Sequence, residues 1–492
     1  MLTSRDYTYM FWAHGWRGTS PDGRRVMCVQ TGNYGGAFDT DRGTLLNWGP
    51  ITNDVSATDA LTEDAQTIYD LPPATLAWEL TVGGNSYEVK HSLSRDRSKD
   101  NLEALGLPLS LLDDATPGEQ TRMIVSGRLV QRFDMENLSF EDTNGKTLPV
   151  VGRAEVTALP HYMAVTMEVS TDEVPLDGVA LKARLQIAGC TVLLPPTQAD
   201  TIQQGDSTSE TIISTPATDV DKEKRLRLSF FVVPDGQASP FYPTGPASIT
   251  ADGIAPYTDT LTPEYDAERG LTWLSLPGLT EAWDMQNNRD MMERVKLSIK
   301  NPSDAPMRVP LVFSKQGDFA GVTGLTPVLR DLDGQPLGIP VQISKNWHRT
   351  EGKTSLYEGP WFQGYTVLDV EANSTFECEL TIAYALWGGV PAASHAQLCL
   401  IGYGGNQLWD QAAIGSFGET ITYDPDVCLG RSIIDDVRPL MVEAMGGGKW
   451  SWTNNVGGGD FLAYFDQDNK KQYLTRMRAF YEYYGPNLTN VH

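Results

Sequence analysis

Cysteine is scarce in this chain, with five residues among 492 (Cys28, Cys190, Cys378, Cys399 and Cys428), no CxxC pair and an odd total. That argues against a disulfide framework and against a zinc ribbon. Cys378 falls on the apolar phase of Phe376, Cys378, Leu380 and Ile382, which predicts a small buried hydrophobe. The six histidines are scattered and form no HExxH. There is no Gly-x-Ser-x-Gly elbow, no P-loop and no dinucleotide fingerprint, so several large enzyme classes are set aside. No apolar run of about 18 residues occurs, which excludes a transmembrane helix and membrane insertion through one. The first residues, MLTSRDYTYMFWAHGW, lack the basic, apolar and small-residue zones of a secretory signal. The expected location is therefore the cytoplasm, or the periplasm or exterior if a signal has been removed.

Positive charge is also in deficit. With 38 Lys and Arg against 63 Asp and Glu the formal net charge is −25, and a field of that sign repels phosphate. Nucleic acid is thereby disfavoured as a partner. A chain with 40% hydrophobic and 9% aromatic residues is globular and long enough for two or three domains.

What is present is the period of two. Trp78, Leu80 and Val82 alternate with polar residues, Gly83-Gly84-Asn85 turns the chain, and Tyr87, Val89, His91 and Leu93 alternate again, which reads as a hairpin. Met163 to Val169 and Arg225 to Val233 repeat the pattern. Val295, Leu297 and Ile299 alternate, Asn301-Pro302-Ser303-Asp304 supplies turn chemistry, and Met307 to Phe313 alternate again. This pair is expected to be a sandwich hairpin, and Asp333-Gly334 marks a further turn. Residues 233–266 are dense in Pro, Gly, Ser and Thr and read as a connection, and 198–223 as a long loop. One helix is expected near the end, where Tyr473, Leu474, Met477, Phe480, Tyr481 and Tyr484 recur every three or four residues before Gly485-Pro486. The predicted fold is all-β. It comprises an N-terminal sandwich-like domain over 1–232, the connection, and a second sandwich-like domain over 267–492 with a late irregular region and that terminal helix.

The region from Asn346 to Phe461 changes character. Segments such as NWHR, YEGPWFQGY, NQLWDQAAIGSFGE and KWSWTNNVGGGDF set aromatics beside glycines and amides. Such a mixture suits a polar concave site, with rigid faces to stack on and backbone that allows close approach. A pyranose ring presents CH faces to Trp and Tyr and hydroxyls to amides, carboxylates and guanidinium groups. The expected partner is accordingly a polysaccharide or oligosaccharide, contacted by Trp347, Arg349, Trp361, Asn406, Trp409, Arg438, Trp452 and Asn455. For hydrolysis two carboxyl groups flank the bond, and Asp410 with Glu419 is the first pair to test, with Asp435 and Asp436 behind them. For β-elimination from a uronic acid the substrate carboxylate must be neutralised and the C5 proton taken by a Tyr, His or Lys, and His348, Tyr423, Arg349, Arg431, Arg438 and Asn455 offer residues of the types needed. Hydrolase stands slightly ahead of lyase. A non-catalytic glycan-binding or structural protein is the reading from another class. No cofactor is called for. Asp39 with Asp41, Asp424 with Asp426 and Asp466 with Asp468 form Asp-x-Asp pairs that a structural calcium tolerates, without the Gly and closing Glu of an EF-hand.

The runs PVLRDLDGQPLGIPVQISKNWH, YEGPWFQGYT, ALWGGVPAASHAQLCLIGYGGNQLWDQAAIGSFGE and KWSWTNNVGGGDF, over roughly 325–465, resemble a group of large bacterial β-rich proteins associated with polysaccharide breakdown. The resemblance implies carbohydrate activity and relatives that continue past His492, and it assigns no residue a role.

Overall fold

The computed structural model describes residues 14–50, 68–92, 121–235, 247–277, 292–315, 324–345, 362–385, 396–403, 408–416, 419–423, 434–441, 451–452, 464–472, 481–484 and 489–491, apart from short gaps within them. Among the described residues every regular element is a strand except a 3-10 turn at Ile68–Asp70. No helix among the described residues is long and apolar enough to cross a membrane.

Two sheets make the first body. Strands His14–Thr19, Arg25–Gln30, Tyr34–Asp39 and Thr44–Pro50 form an antiparallel meander. Twelve further strands form one wide sheet whose middle is Val151–Leu159, Gln131–Glu141, Asn85–Ser92 and Thr75–Val82. Strands Leu176–Gln186 and Leu226–Pro234 have five others between them in the order, yet they approach each other, so the sheet curls almost closed. Alternation explains the curl's filling. Met163, Val165 and Met167 pair across to Val232, Phe230 and Leu228, and all six are buried in one cluster with Trp78 and Phe133. The meander seals that cluster with Tyr34, Phe38 and Trp48; the Phe38 and Phe133 rings meet edge-on at 5.3 Å, a favoured aromatic arrangement.

The second body is a ten-stranded sheet packed on a five-stranded one. Here the expected hairpin is corrected. Met292–Asn301 pairs with Ser374–Ala385 in the larger sheet, whereas Met307–Lys315 pairs with Phe362–Val370 in the smaller. Asn301-Pro302-Ser303-Asp304 therefore crosses between layers. The physical reason is that both apolar phases are strong: Leu297 and Ile299 face Leu311 and Phe313 across one core. Cys378 is fully buried in that core as expected.

Three other expectations are overturned. Within the loop read over 198–223, strands Thr201–Gln204, Glu210–Ser214 and Thr218–Val220 join the wide sheet. Of the Pro-rich connection, Ser248–Ala255, Thr260–Leu261 and Glu264–Asp266 are strands of the second body. The terminal helix is absent where it can be seen: Tyr481–Tyr484 is a strand paired with Thr489–Val491, and residues 473–480 lie outside the described residues. Tyrosine is a better strand than helix residue, and a spacing of three and four cannot by itself outvote that preference.

One five-residue turn recurs four times, at Ser20–Arg24, Asp142–Lys146, Asp331–Gln335 and Asp466–Lys470. In each, the first and fifth residues pair through the backbone at 2.8–3.0 Å. The first side chain accepts the fifth N–H, at 3.0, 2.9, 2.7 and 2.9 Å in turn. The fourth position is left-handed: Gly23, Gly145 and Gly334 have φ of 85°, 80° and 87°, and Asn469 has 57°. Only Gly and Asn adopt that conformation readily. The carboxylate of Asp466, half of one Asp-x-Asp pair, is thus engaged with its own turn.

The two bodies meet on the outer face of the wide sheet. Tyr162, Phe231 and Val233 pack on Val312, Tyr365 and Val367. The Tyr162 hydroxyl donates to the carbonyls of Arg269 and Gly270 at 3.0 and 3.2 Å. Gln342 Oε1 accepts from the amides of Leu129 and Val130, both at 2.8 Å.

Candidate functional site

The late region that reads as irregular is strand wherever it is described. NQLWDQAAIGSFGE contains strand Leu408–Ser416 and opens strand Glu419–Tyr423, which pair with each other and with Ala396–Tyr403 and Ile434–Met441. These strands continue the ten-stranded sheet. Its missing alternation has a simple cause: Ala412, Ala413 and Gly415 supply no polar phase, so a paired strand looks patternless.

Register sorts the predicted residues. Rows Gln397↔Gly415↔Thr420↔Arg438 and Cys399↔Ala413↔Thr422↔Asp436 cross four strands on one face. Trp452, opposite Leu440, joins that face. The other face carries Leu398, Ile414, Ile421 and Val437 with Trp409 and Tyr423. The predicted tryptophans Trp409 and Trp452 are therefore on opposite faces. Trp347, His348, Arg349, Trp361, Asn406 and Asn455 lie outside the described residues.

The backbone positions of the first carboxylate pair are set apart along the hairpin. Glu419 pairs with Ser416, six residues along the strand from Asp410, which is ~20 Å at the rise of an antiparallel strand. Two-carboxylate hydrolysis works over roughly 5–9.5 Å. Asp435 is better placed. The pairing of Ala396–Tyr403 with Leu408–Ser416 shifts so that Asp410 is the unpaired extra residue between Trp409 and Gln411. The pairing of Glu419–Tyr423 with Ile434–Met441 shifts so that Asp435 is the extra residue between Ile434 and Asp436. Both bulges stand at the same end of the sheet, on either side of the strand that ends in Tyr423. Two strand spacings and about two residues of rise separate the aspartates, or about 12 Å between backbones. Bulges re-aim side chains and recur beside active sites.

Among the described residues, strongly perturbed charged groups stand at the junction of the bodies. Asp134 and Glu155 are direct cross-strand partners. Arg269, from the turn after strand Glu264–Asp266, grips Glu155 with two bonds of 2.5 and 2.8 Å and Asp266 with one of 2.5 Å. Arg153 bonds Asp134. Burial, then the Glu155 charge, raises the Asp134 carboxyl above its ordinary range. Burial also acts on Glu155, but the Arg269 bonds with the Arg269, Arg132 and Arg153 charges override it and hold that carboxyl down at about 2. Carboxyls pushed apart in this way can serve as acid and base. Here Arg269 occupies both Glu155 oxygens and Asp134 is fully buried, so the network joins the bodies and is closed to a substrate. Charged residues at every second position of Arg132-Phe133-Asp134 and Arg153-Ala154-Glu155 were its sequence signal.

The sign of the pH effect follows. Glu155 has a folded value of about 2 against the usual 4.5, so its stabilisation is complete above 4.5 and is lost as pH falls towards 2. Asp134, raised, works in the opposite sense and regains stability on protonation. Glu155→Gln is expected to cost about 2–3 kcal/mol at neutral pH and to converge on the unaltered protein in strong acid. Urea denaturation across that range measures it. A constant difference at all pH values would refute the assignment.

No family model matches the chain. No curated protein matches it either. Among solved structures, a 4-alpha-glucanotransferase from Thermococcus litoralis aligns at 8% identity over 46% of this chain and 40% of its own, with a TM-score of 0.22. A galactose mutarotase-like protein from Clostridium acetobutylicum aligns at 8% identity over 76% and 99%, at 0.19. A Paenibacillus xanthan lyase aligns at 11% identity over 90% and 46%, at 0.15. This chain spans less than half the length of the first and the third. Its distant structural neighbours are thus carbohydrate-active enzymes, at a likeness too low to transfer a family or an activity.

Proposed function

We propose that the protein is a carbohydrate-active enzyme that hydrolyses a polysaccharide at the end of the late sheet where Asp410 and Asp435 stand. The observation that carries this reading is the pair of bulged aspartates flanking Tyr423. Aspartates on backbones about 12 Å apart can bring their carboxyls within the roughly 6.5–9.5 Å of inverting hydrolases, which leaves room for a water. One carboxyl protonates the departing glycosidic oxygen. The other takes a proton from the water, whose oxygen bonds to the anomeric carbon as the C–O bond breaks. The polar rows that include Thr420, Thr422 and Arg438 offer hydroxyl and guanidinium groups to neighbouring sugars, and Trp452 a stacking face.

A neutral chain is the favoured substrate, because a protein of net charge −25 repels a polyuronate. Incubation with neutral and anionic polysaccharides tests the proposal. New reducing ends without unsaturated uronate are expected. Unsaturated product would replace hydrolysis by elimination, and binding without either product would make the protein a glycan-binding one.

A further inference from the structure

Leu129 and Val130 lie between the strands Thr121–Ser126 and Gln131–Glu141 and belong to neither, yet both are buried in the core where the two bodies meet. Buried backbone groups outside a ladder need other partners. The second body supplies them. Trp273, Val312, Tyr365 and Gln342 stand in one row across four strands of the five-stranded sheet. Val312 and Tyr365 are buried in the shared core, and Trp273 packs against it. Gln342 ends the row. Its Oε1 accepts from the Leu129 and Val130 amides and its Nε2 donates to the Val130 carbonyl at 2.9 Å. A side-chain amide has the donor and acceptor of a peptide unit, so Gln342 stands in for a neighbouring strand. The next residue is held by the meander. Gln131 is wholly buried; its Oε1 accepts the Gln30 N–H at 2.9 Å and its Nε2 donates to the Gln30 carbonyl. Gln30 closes strand Arg25–Gln30.

We infer that residues 129–131 are a strap that locks the meander, the wide sheet and the second body into one unit, which opens and unfolds in a single step. Domains of one chain move against each other unless their interface is large and apolar. Here an apolar core and a set of buried amide bonds have to break together. Parting the bodies withdraws Leu129 and Val130 from the core and strips their backbone of the Gln342 bonds. A buried polar group left without its partner is costly. Val130 and Gln131 share a peptide bond, so the displacement reaches the Gln131 side chain and its hold on Gln30. The Tyr162 hydroxyl on the Arg269 and Gly270 carbonyls and the Arg269 grip on Glu155 fasten the same junction. The inference does not depend on the proposed hydrolysis.

Amide hydrogen exchange in the full chain tests this. In Gln342→Met the Leu129 and Val130 amides are expected to exchange at least tenfold faster than in the unaltered protein. The Gln30 amide, which bonds Gln131 rather than Gln342, is expected to follow by a similar factor. Gln342→Glu keeps an acceptor for both amides and loses only the bond to the Val130 carbonyl, so it should restore most of the protection at all three. In rising urea, the amides of Val165 in the first core and Leu297 in the second should lose protection at the same concentration. This last measurement uses the unaltered protein and decides the matter should Gln342→Met fail to fold. Loss of protection at two separate urea concentrations would overturn the inference. So would unchanged exchange at Gln30 in Gln342→Met, or no recovery in Gln342→Glu.

Discussion

Lys315→Ala is expected to destabilise the protein by about 3–5 kcal/mol, the cost of breaking a buried ion pair from one side. Lys315 Nζ lies 2.9 and 2.8 Å from the two oxygens of Glu293 and 2.7 Å from the Pro277 carbonyl. Tyr257 donates to the same carboxylate at 2.6 Å. Both charged side chains are wholly shielded from solvent. Burial lowers the lysine's affinity for its proton, and Glu293 opposes that shift. Without the ammonium, the carboxylate keeps the tyrosine but loses its counter-charge in a medium that solvates it poorly. The double variant Lys315→Met with Glu293→Leu removes both charges and is expected to be far closer to the unaltered protein than Lys315→Ala. Urea denaturation of the three proteins measures this. A loss below about 1 kcal/mol in Lys315→Ala would show that water or another group solvates Glu293.

The all-β class was legible because the period of two is written plainly where strands carry one apolar phase. Trp78 to Val82 and Tyr87 to Val89 fold as the hairpin they suggest, Thr75–Val82 with Asn85–Ser92, and Gly83 and Gly84 take left-handed φ of 55° and 82° at its turn. Layer assignment was less legible. Two adjacent alternating runs with a turn between them look the same whether they pair or face each other, which is why Met292–Asn301 and Met307–Lys315 read as a hairpin. The small-residue strand at Leu408–Ser416 carries too little contrast between its faces to show a period at all.

The candidate site was legible in residue type and not in geometry. Asp410 and Glu419 stood out as carboxylates of one aromatic, glycine-rich segment, and sequence alone does not give their separation. Antiparallel pairing sets that separation: a hairpin brings Glu419 to Ser416 and carries Asp410 to the far end, where Asp435 arrives from the next strand. A bulge has no sequence signature of its own, since one extra residue is defined only against a partner strand. The Arg269 junction was hidden for a related reason, because its two carboxylate partners come from different bodies, Glu155 from the first and Asp266 from the second. Of the recurring turn SPDGR, DTNGK, DLDGQ and DQDNK, only Asp333-Gly334 was read as a turn in the sequence; what the four share is the left-handed fourth position rather than a spacing between copies.

The strongest effect expected anywhere in the chain is on turnover. Asp410→Asn and Asp435→Asn each remove one of the two proton transfers that hydrolysis requires, and a positioned acid or base contributes about 10²–10⁴-fold to rate. Each variant should fold, since asparagine conserves size and the bulge is set by the backbone pairing. Glu419→Gln, at the other end of the strand, should turn over normally. Reducing ends released from the best neutral polysaccharide by these three variants and the unaltered protein provide the most direct comparison. The account predicts a loss of at least a hundredfold in Asp410→Asn and in Asp435→Asn and none in Glu419→Gln. Full activity in Asp435→Asn together with loss in Glu419→Gln, or no cleavage of any polysaccharide by the unaltered protein, would contradict it.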